Sequence, residues 1–123
     1  MVRRVRLLLV AALLATALVT VAAPSASAAP GGCLSGALCV YWNVNYDHGP
    51  WRFFGTNESW GSWAIEDDDS SWFNNGTTGR SARVWVNRGR TWPVEVCLDR
   101  GDGDAYAIAI DDRGSSNDWP WGC

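Results

Sequence analysis

The chain has 123 residues, thirteen acids against ten arginines, no lysine, and a formal net charge of −3. That length builds one small domain, and the acidic balance argues against a phosphate backbone as partner while suiting a cation. Nine tryptophans and four cysteines stand out in so short a chain.

Arg3, Arg4 and Arg6 form a basic start, and residues 7–21 are apolar apart from Thr16 and Thr20. Ala26-Ser27-Ala28 then offers a small-x-small cleavage site, so residues 1–28 read as a secretory signal. The apolar run is too short for a comfortable membrane span, which makes a retained anchor the weaker reading. The mature chain would begin at Ala29-Pro30 with 95 residues (123 − 28). Three arginines and no acid leave with the signal, so its charge would be 7 − 13 = −6. The expected location is extracellular, with no membrane contact after cleavage.

All four cysteines, Cys33, Cys39, Cys97 and Cys123, lie in the mature part. An even number in a small exported chain reads as two disulfides. Zinc is disfavoured, because His48 is the only histidine and no Cys-x-x-Cys occurs. Of the three possible pairings, closing the short Gly-containing turn between Cys33 and Cys39 costs least entropy. Cys97 would then fasten the carboxyl terminus through Cys123.

After the signal no segment has helical periodicity. Runs rich in Val, Ile, Trp, Tyr and Phe alternate with Gly, Asn, Asp and Pro clusters, the pattern of an all-β fold. Strands are expected at residues 38–43, 51–54, 63–65 and 71–73, then at 82–87, 94–98, 106–110 and 116–119. Residues 74–79, Asn-Asn-Gly-Thr-Thr-Gly, form a turn-rich joint between the two sets. The sequons Asn57-Glu58-Ser59 and Asn75-Gly76-Thr77 read as ordinary turns. Trp42, Trp72 and Trp85 sit inside strand-like runs and are expected in the core. Trp51, Trp60, Trp63, Trp92, Trp119 and Trp121 lie near turns, where some could be exposed anchors.

The two sets repeat each other. Ala64-Ile65-Glu66-Asp67-Asp68-Asp69-Ser70-Ser71 is answered 45 positions on (109 − 64) by Ala109-Ile110-Asp111-Asp112-Arg113-Gly114-Ser115-Ser116. Val40-Tyr41-Trp42-Asn43 is answered 44 positions on (84 − 40) by Val84-Trp85-Val86-Asn87. One supersecondary unit is used twice, with repeats at about 33–76 and 80–123 of a single domain spanning 29–123. Two four-stranded units fit a Greek-key sandwich, each covering the other's apolar face.

Each repeat carries adjacent acids followed by a Ser-Ser pair. A hard divalent cation wants six to eight oxygen ligands, more than one segment supplies, but two segments packed about a pseudo-twofold could share ligands. The alternative is that the aspartates make Asx-turns and the serines satisfy backbone groups.

Tyr41-Trp42-Asn43-Val44-Asn45-Tyr46-Asp47-His48-Gly49, paired with an acid-acid-x-x-Ser-Ser segment, resembles the microbial βγ-crystallins. Asp111-Asp112-Arg113-Gly114-Ser115-Ser116 fits that family's calcium motif in full. In the first copy Glu66 stands where Asp or Asn is usual, and in the second hairpin Trp85 and Trp92 replace the tyrosines. The resemblance implies calcium contacts from Asp67, Asp68 and Ser70, and from Asp112, Arg113 and Ser115.

A second resemblance spans nearly the whole mature chain. Cys33-Leu34-Ser35-Gly36-Ala37-Leu38-Cys39-Val40-Tyr41 and Asp68-Asp69-Ser70-Ser71-Trp72-Phe73-Asn74-Asn75-Gly76 are similar to the secreted actinobacterial metalloproteinase inhibitors of peptidase inhibitor family thirty-six. That likeness implies a crystallin-type fold and a reactive bond just after a cysteine in the second repeat. Val94-Glu95-Val96-Cys97-Leu98-Asp99 is the matching segment, and it marks Cys97–Leu98 as the bond. Thermolysin-type proteases prefer a bulky aliphatic residue after the cut, as Leu98 would supply. A disulfide at Cys97 would keep the strand rigid and binding entropically cheap.

No enzyme is expected. His48 sits in a hairpin turn without a nucleophile motif, and the paired acids cluster in turns. The expected protein is a monomeric, disulfide-stapled βγ-crystallin-like sandwich that inhibits an extracellular metalloprotease. The alternatives are a calcium-binding βγ-crystallin with a structural or binding role, and a tryptophan-rich carbohydrate- or wall-binding module.

Overall fold

The structure, a computed structural model, describes residues 28–106 and 111–123. The signal expected over residues 1–28 lies outside the described residues apart from Ala28.

Among the described residues, seven strands form two antiparallel sheets. In chain order they are β1 (Leu38–Tyr41), β2 (Trp51–Phe53), β3 (Ser71–Asn74), β4 (Ala82–Asn87), β5 (Thr91–Leu98), β6 (Gly103–Asp104) and β7 (Ser116–Asp118). The first sheet runs β2-β1-β3-β6 and the second β5-β4-β7. β1 and β3 are buried on both faces, so neither shows the polar alternation of a one-sided strand. The period of two still decides which core each residue joins. Leu38, Val40 and Trp72 point into the main core, while Cys39, Tyr41 and Phe73 point into a smaller cluster with Cys33 and Ala37.

The main core lies between the sheets, where Phe53, Trp60 and Ile65 meet Ala82, Val84, Val96 and Leu98. Phe53 and Trp60 stack with ring centroids 4.6 Å apart, a contact worth about 1 kcal/mol beyond its buried area. Trp60 follows a turn, yet it is fully buried. Its Nε1–H donates to Asn117 Oδ1 at 2.9 Å, so the indole enters the core with its polar atom satisfied. Trp72 is buried as expected, whereas Trp42 and Trp85 are only half-buried.

The repeats exchange their third strands. β6 of the second repeat pairs with β3 of the first, and Asn57 of the first bridges to Asn117 in β7 of the second. The sandwich is thus a Greek key whose sheets each hold pieces of both repeats. This corrects the expected strand at 63–65. Trp63 N–H donates to Trp60 O, Glu66 N–H to Trp63 O and Asp68 N–H to Ile65 O, so successive local turns consume the ladder groups. In the second repeat the exchanged strand is Gly103–Asp104, and residues 107–110 of the expected 106–110 lie outside the described residues. β5 also begins three residues earlier than expected, running through Pro93. Because β5 is an edge strand, the missing N–H of a proline is tolerated there.

Both disulfides form as the spacing suggested, Cys33–Cys39 and Cys97–Cys123. The first closes a turn that leads into β1. The second ties the end of β5 to the carboxyl terminus.

Candidate functional site

The two acid-serine segments meet. Ser115 Oγ–H donates to Asp67 Oδ1 at 3.1 Å, and Ser70 Oγ–H donates to Asp112 Oδ1 at 3.4 Å. Each repeat therefore places its second acid against the other repeat's first serine. The backbone obeys the same pseudo-twofold: Asp67 N–H donates to Gly114 O at 3.0 Å and Asp112 N–H to Asp69 O at 2.7 Å. Asp67 (φ 58°) and Asp112 (φ 59°) both occupy the left-handed region, which aspartate tolerates better than most residues. A pocket of about 420 Å³ opens here, lined in part by Asp67, Asp112, Arg113 and Ser115. Partial burial, and then the charges of Asp111 and Asp68, push the Asp112 carboxyl above the usual carboxylate range. Negative charge thus accumulates at a junction rich in carboxylate, hydroxyl and carbonyl oxygen, the donor set of a hard cation. Among the described residues no three His, Cys, Asp or Glu side chains converge as a metal cluster, so a cation here would depend on serine and backbone oxygens as well.

Glu66 is engaged elsewhere. It receives both Nε–H and Nη2–H of Arg88 at 2.6 Å, and these bonds hold its carboxyl below the usual range. The departure of the first copy from an aspartate at this position thus coincides with a bidentate ion pair to β4's end rather than a free ligand.

Asp69 goes inward. Its Oδ2 accepts from Trp72 Nε1 at 2.7 Å and its Oδ1 from Gly114 N at 2.8 Å. Against it lies Glu95 of β5, also buried. Arg113 N–H reaches both carboxyls, at 3.2 Å each. Glu95 Oε2 faces no donor, which fits a carboxyl that keeps its proton and hydrogen-bonds through it to Asp69. Burial, then the Asp69 charge, push Glu95 up to about 10. Gly114 permits this packing, since a Cβ there would run into Asp69, Glu95 and Trp60. Sequence reasoning missed the pair. The one available sign was Gly114 standing where the first repeat has Asp69.

Cys97 and Leu98 end β5. Leu98 is 7% exposed and packs in the main core, so its side chain reaches a protease pocket only if the end of β5 leaves the sheet. Cys97 is half-buried and bonded to Cys123. By contrast, Leu34, Phe54, Trp63, Trp92, Tyr106 and Trp121 are large apolar side chains left at the surface. His48 packs edge-on against Trp42 with ring centroids 5.8 Å apart, an aromatic role.

The model of peptidase inhibitor family I36 matches residues 26–97, more than half of the chain. The chain belongs to peptidase inhibitor family I36. It is therefore a peptidase inhibitor and not an enzyme. No curated protein matches the sequence. Among solved structures, a domain of the eye-lens βγ-crystallin fold aligns with a TM-score of 0.63 at 17% identity, covering 75% of this chain and 92% of that one. A βγ-crystallin from Ciona intestinalis gives 0.57 at 15% identity over 68% and 99%. A βγ-crystallin domain from Clostridium beijerinckii gives 0.54 at 14% identity over 69% and 98%. These likenesses establish the fold: the inhibitor is a βγ-crystallin-type sandwich.

Proposed function

We propose that this I36 inhibitor is exported as a monomer and blocks an extracellular metalloprotease of thermolysin type. The observation that carries the reading is the family match over residues 26–97. Export is supported by the complete use of the cysteines in disulfides, which persist in oxidising compartments. A doubly fastened sandwich suits inhibition, because a surface already rigid loses little entropy on binding. The Cys97–Leu98 bond takes part through β5, an edge strand of its sheet, which can add to a protease's substrate-binding strand.

The test is residual activity of a thermolysin-like enzyme, and of serine, cysteine and aspartic proteases, against a titration of the oxidised protein. Loss confined to the metalloprotease supports the reading. Loss confined to another class assigns a different target.

Calcium is a second element of the proposal, favoured by the reciprocal Asp67–Ser115 and Asp112–Ser70 pairs. Each pair, with a carbonyl from Asp68 or Arg113, would hold one ion, so two sites are expected. Bound there, calcium would neutralise the acidic junction and cross-link the two repeats.

A further inference from the structure

Trp121 is 74% exposed, yet the chain around it is held at four points. The Arg80 guanidinium lies over its ring, 4.1 Å from the centroid. Arg80 Nη1–H donates to Trp119 O at 3.0 Å, and Ser81 N–H donates to Pro120 O at 3.0 Å. Two residues further on, Cys123 is bonded to Cys97 near the end of β5. A lone exposed apolar side chain is ordinary on a protein surface. An indole fixed this firmly, with a guanidinium over one face and most of its surface in solvent, is a preorganised stacking platform.

Arg80 also lines a groove of about 260 Å³, together with Phe54, Gly76, Thr77, Thr78 and Trp119. Phe54 is 59% exposed, and Thr77 and Thr78 stand exposed on the turn after β3. Trp119 packs against the main core, which fixes its place in the wall. Gly76 lets the turn close on it, since a Cβ there would come within 2.9 Å of the indole. The groove therefore combines aromatic surface, two hydroxyls and one guanidinium, with no carboxylate in its lining. Acids do lie nearby. Asp99 follows β5, and Asp102 O accepts from Asn74 N–H at the end of β3. With Arg80 and the exposed Arg100 beside them, the charges at this end nearly cancel.

We propose that this groove, with Trp121 at its rim, binds a neutral polysaccharide and so anchors the inhibitor to a carbohydrate surface. A pyranose ring carries C–H groups on its faces and hydroxyls around its edge. The faces suit the Phe54 and Trp121 rings. The edge hydroxyls donate and accept, as the Thr77 and Thr78 hydroxyls do, and the Arg80 guanidinium donates. Size decides against a protein partner. Phe54 and Trp121 expose on the order of 300 Å² between them, against about 800 Å² per partner in a stable protein interface. The nearly cancelling charges exert little pull on an anionic glycan.

The test is co-sedimentation of the purified, oxidised protein with insoluble cellulose, chitin and starch, joined to calorimetric titration with the corresponding hexasaccharides. Parent, Trp121→Ala, Trp121→Phe, Phe54→Ala and Trp92→Ala are compared, and each melting temperature is recorded. The parent should bind at least one of the three polymers, with an affinity that salt barely changes. Trp121→Ala and Phe54→Ala should each weaken binding about 10-fold, the loss of one aromatic stacking contact, with unchanged melts because both side chains are exposed. Trp121→Phe should stay within a few-fold of the parent. Trp92 is as exposed, at 76%, but lies on the β4–β5 hairpin at the opposite end of the sheet, so Trp92→Ala should bind like the parent. A parent that binds none of the polymers, or that captures only a proline-rich peptide, overturns the proposal. So does binding that survives both Trp121→Ala and Phe54→Ala, that Trp92→Ala weakens equally, or that falls steeply with salt.

Discussion

Replacing Glu95 by glutamine should make the protein more stable at neutral pH, although the residue is buried and hydrogen-bonded. Glu95 and Asp69 face each other in the core, and burial together with the Asp69 charge lifts Glu95 from 4.5 to about 10. The folded value lies above the unfolded one, so the fold holds a proton that the unfolded chain releases. The pair's contribution is fully present below pH 4.5 and is lost as pH rises toward 10. At pH 7 the loss is on the order of a few kcal/mol at most. A glutamine amide donates to Asp69 without taking up a proton, so Glu95→Gln should gain roughly 1–3 kcal/mol at pH 7. For a domain of this size that is a rise in melting temperature of about 5–15 °C. The assay is thermal unfolding of parent and variant from pH 4 to 9 in chelator, which keeps divalent cations out of the comparison. The parent should lose stability with rising pH, and the variant should show a flatter profile that crosses it from below. Parallel profiles would refute the shared proton, and with it the assignment of Glu95 as the neutral partner.

Calcium at millimolar concentration should raise the melting temperature, and Asp112→Ala should reduce that shift more than Asp69→Asn, because Asp112 faces the junction and Asp69 the core; a melt indifferent to calcium would contradict the site. Leu98→Asp should lower stability by about 3 kcal/mol or more, visible as loss of a cooperative melt, since it puts a carboxylate among Val84, Val96 and Trp72. Removing the Cys97–Cys123 bridge by a double serine variant should cost about 3.5 kcal/mol by loop-closure entropy over its separation of 26, more than removing Cys33–Cys39, as denaturant unfolding would show. Gly114→Ala should destabilise the fold, because its Cβ meets the Asp69 and Glu95 carboxyls, and a near-parental melt would show that this packing gives way easily.

The repeat was legible because it is written twice in residues that face the same way: Asp67 and Asp112 share their backbone conformation as well as their place in the motif. The disulfide pairing was legible because a short loop closes more cheaply than a long one. The exchanged strands were not. Nothing local to Gly103-Asp104 or Asn57 marks a strand, since their pairing partners belong to the other repeat. The burial of Leu98 was in principle readable: Val94, Val96 and Leu98 alternate along β5, and that period sends Leu98 to the same face as Val96. The family likeness pointed to the bond after Cys97, while alternation fixed which side chain is available. Glu95 sat in the opposite register and still came out buried, because Asp69 of the first repeat folds over it. That contact joins residues distant in sequence, and no single-strand pattern contains it. Trp60 was missed for a related reason. A turn position hides the stacking partner, Phe53, and the acceptor, Asn117, that bring it inside.

The proposed inhibition works by occupying the active site of a metalloprotease. The most direct measurement is a tight-binding titration of thermolysin with the purified, oxidised protein, repeated with the enzyme's cleft filled by a small zinc-directed inhibitor. Activity should fall to a break point at one inhibitor per enzyme, and filling the cleft should prevent the complex from forming. Full activity at excess protein, or a complex that forms equally well on the filled enzyme, would contradict it.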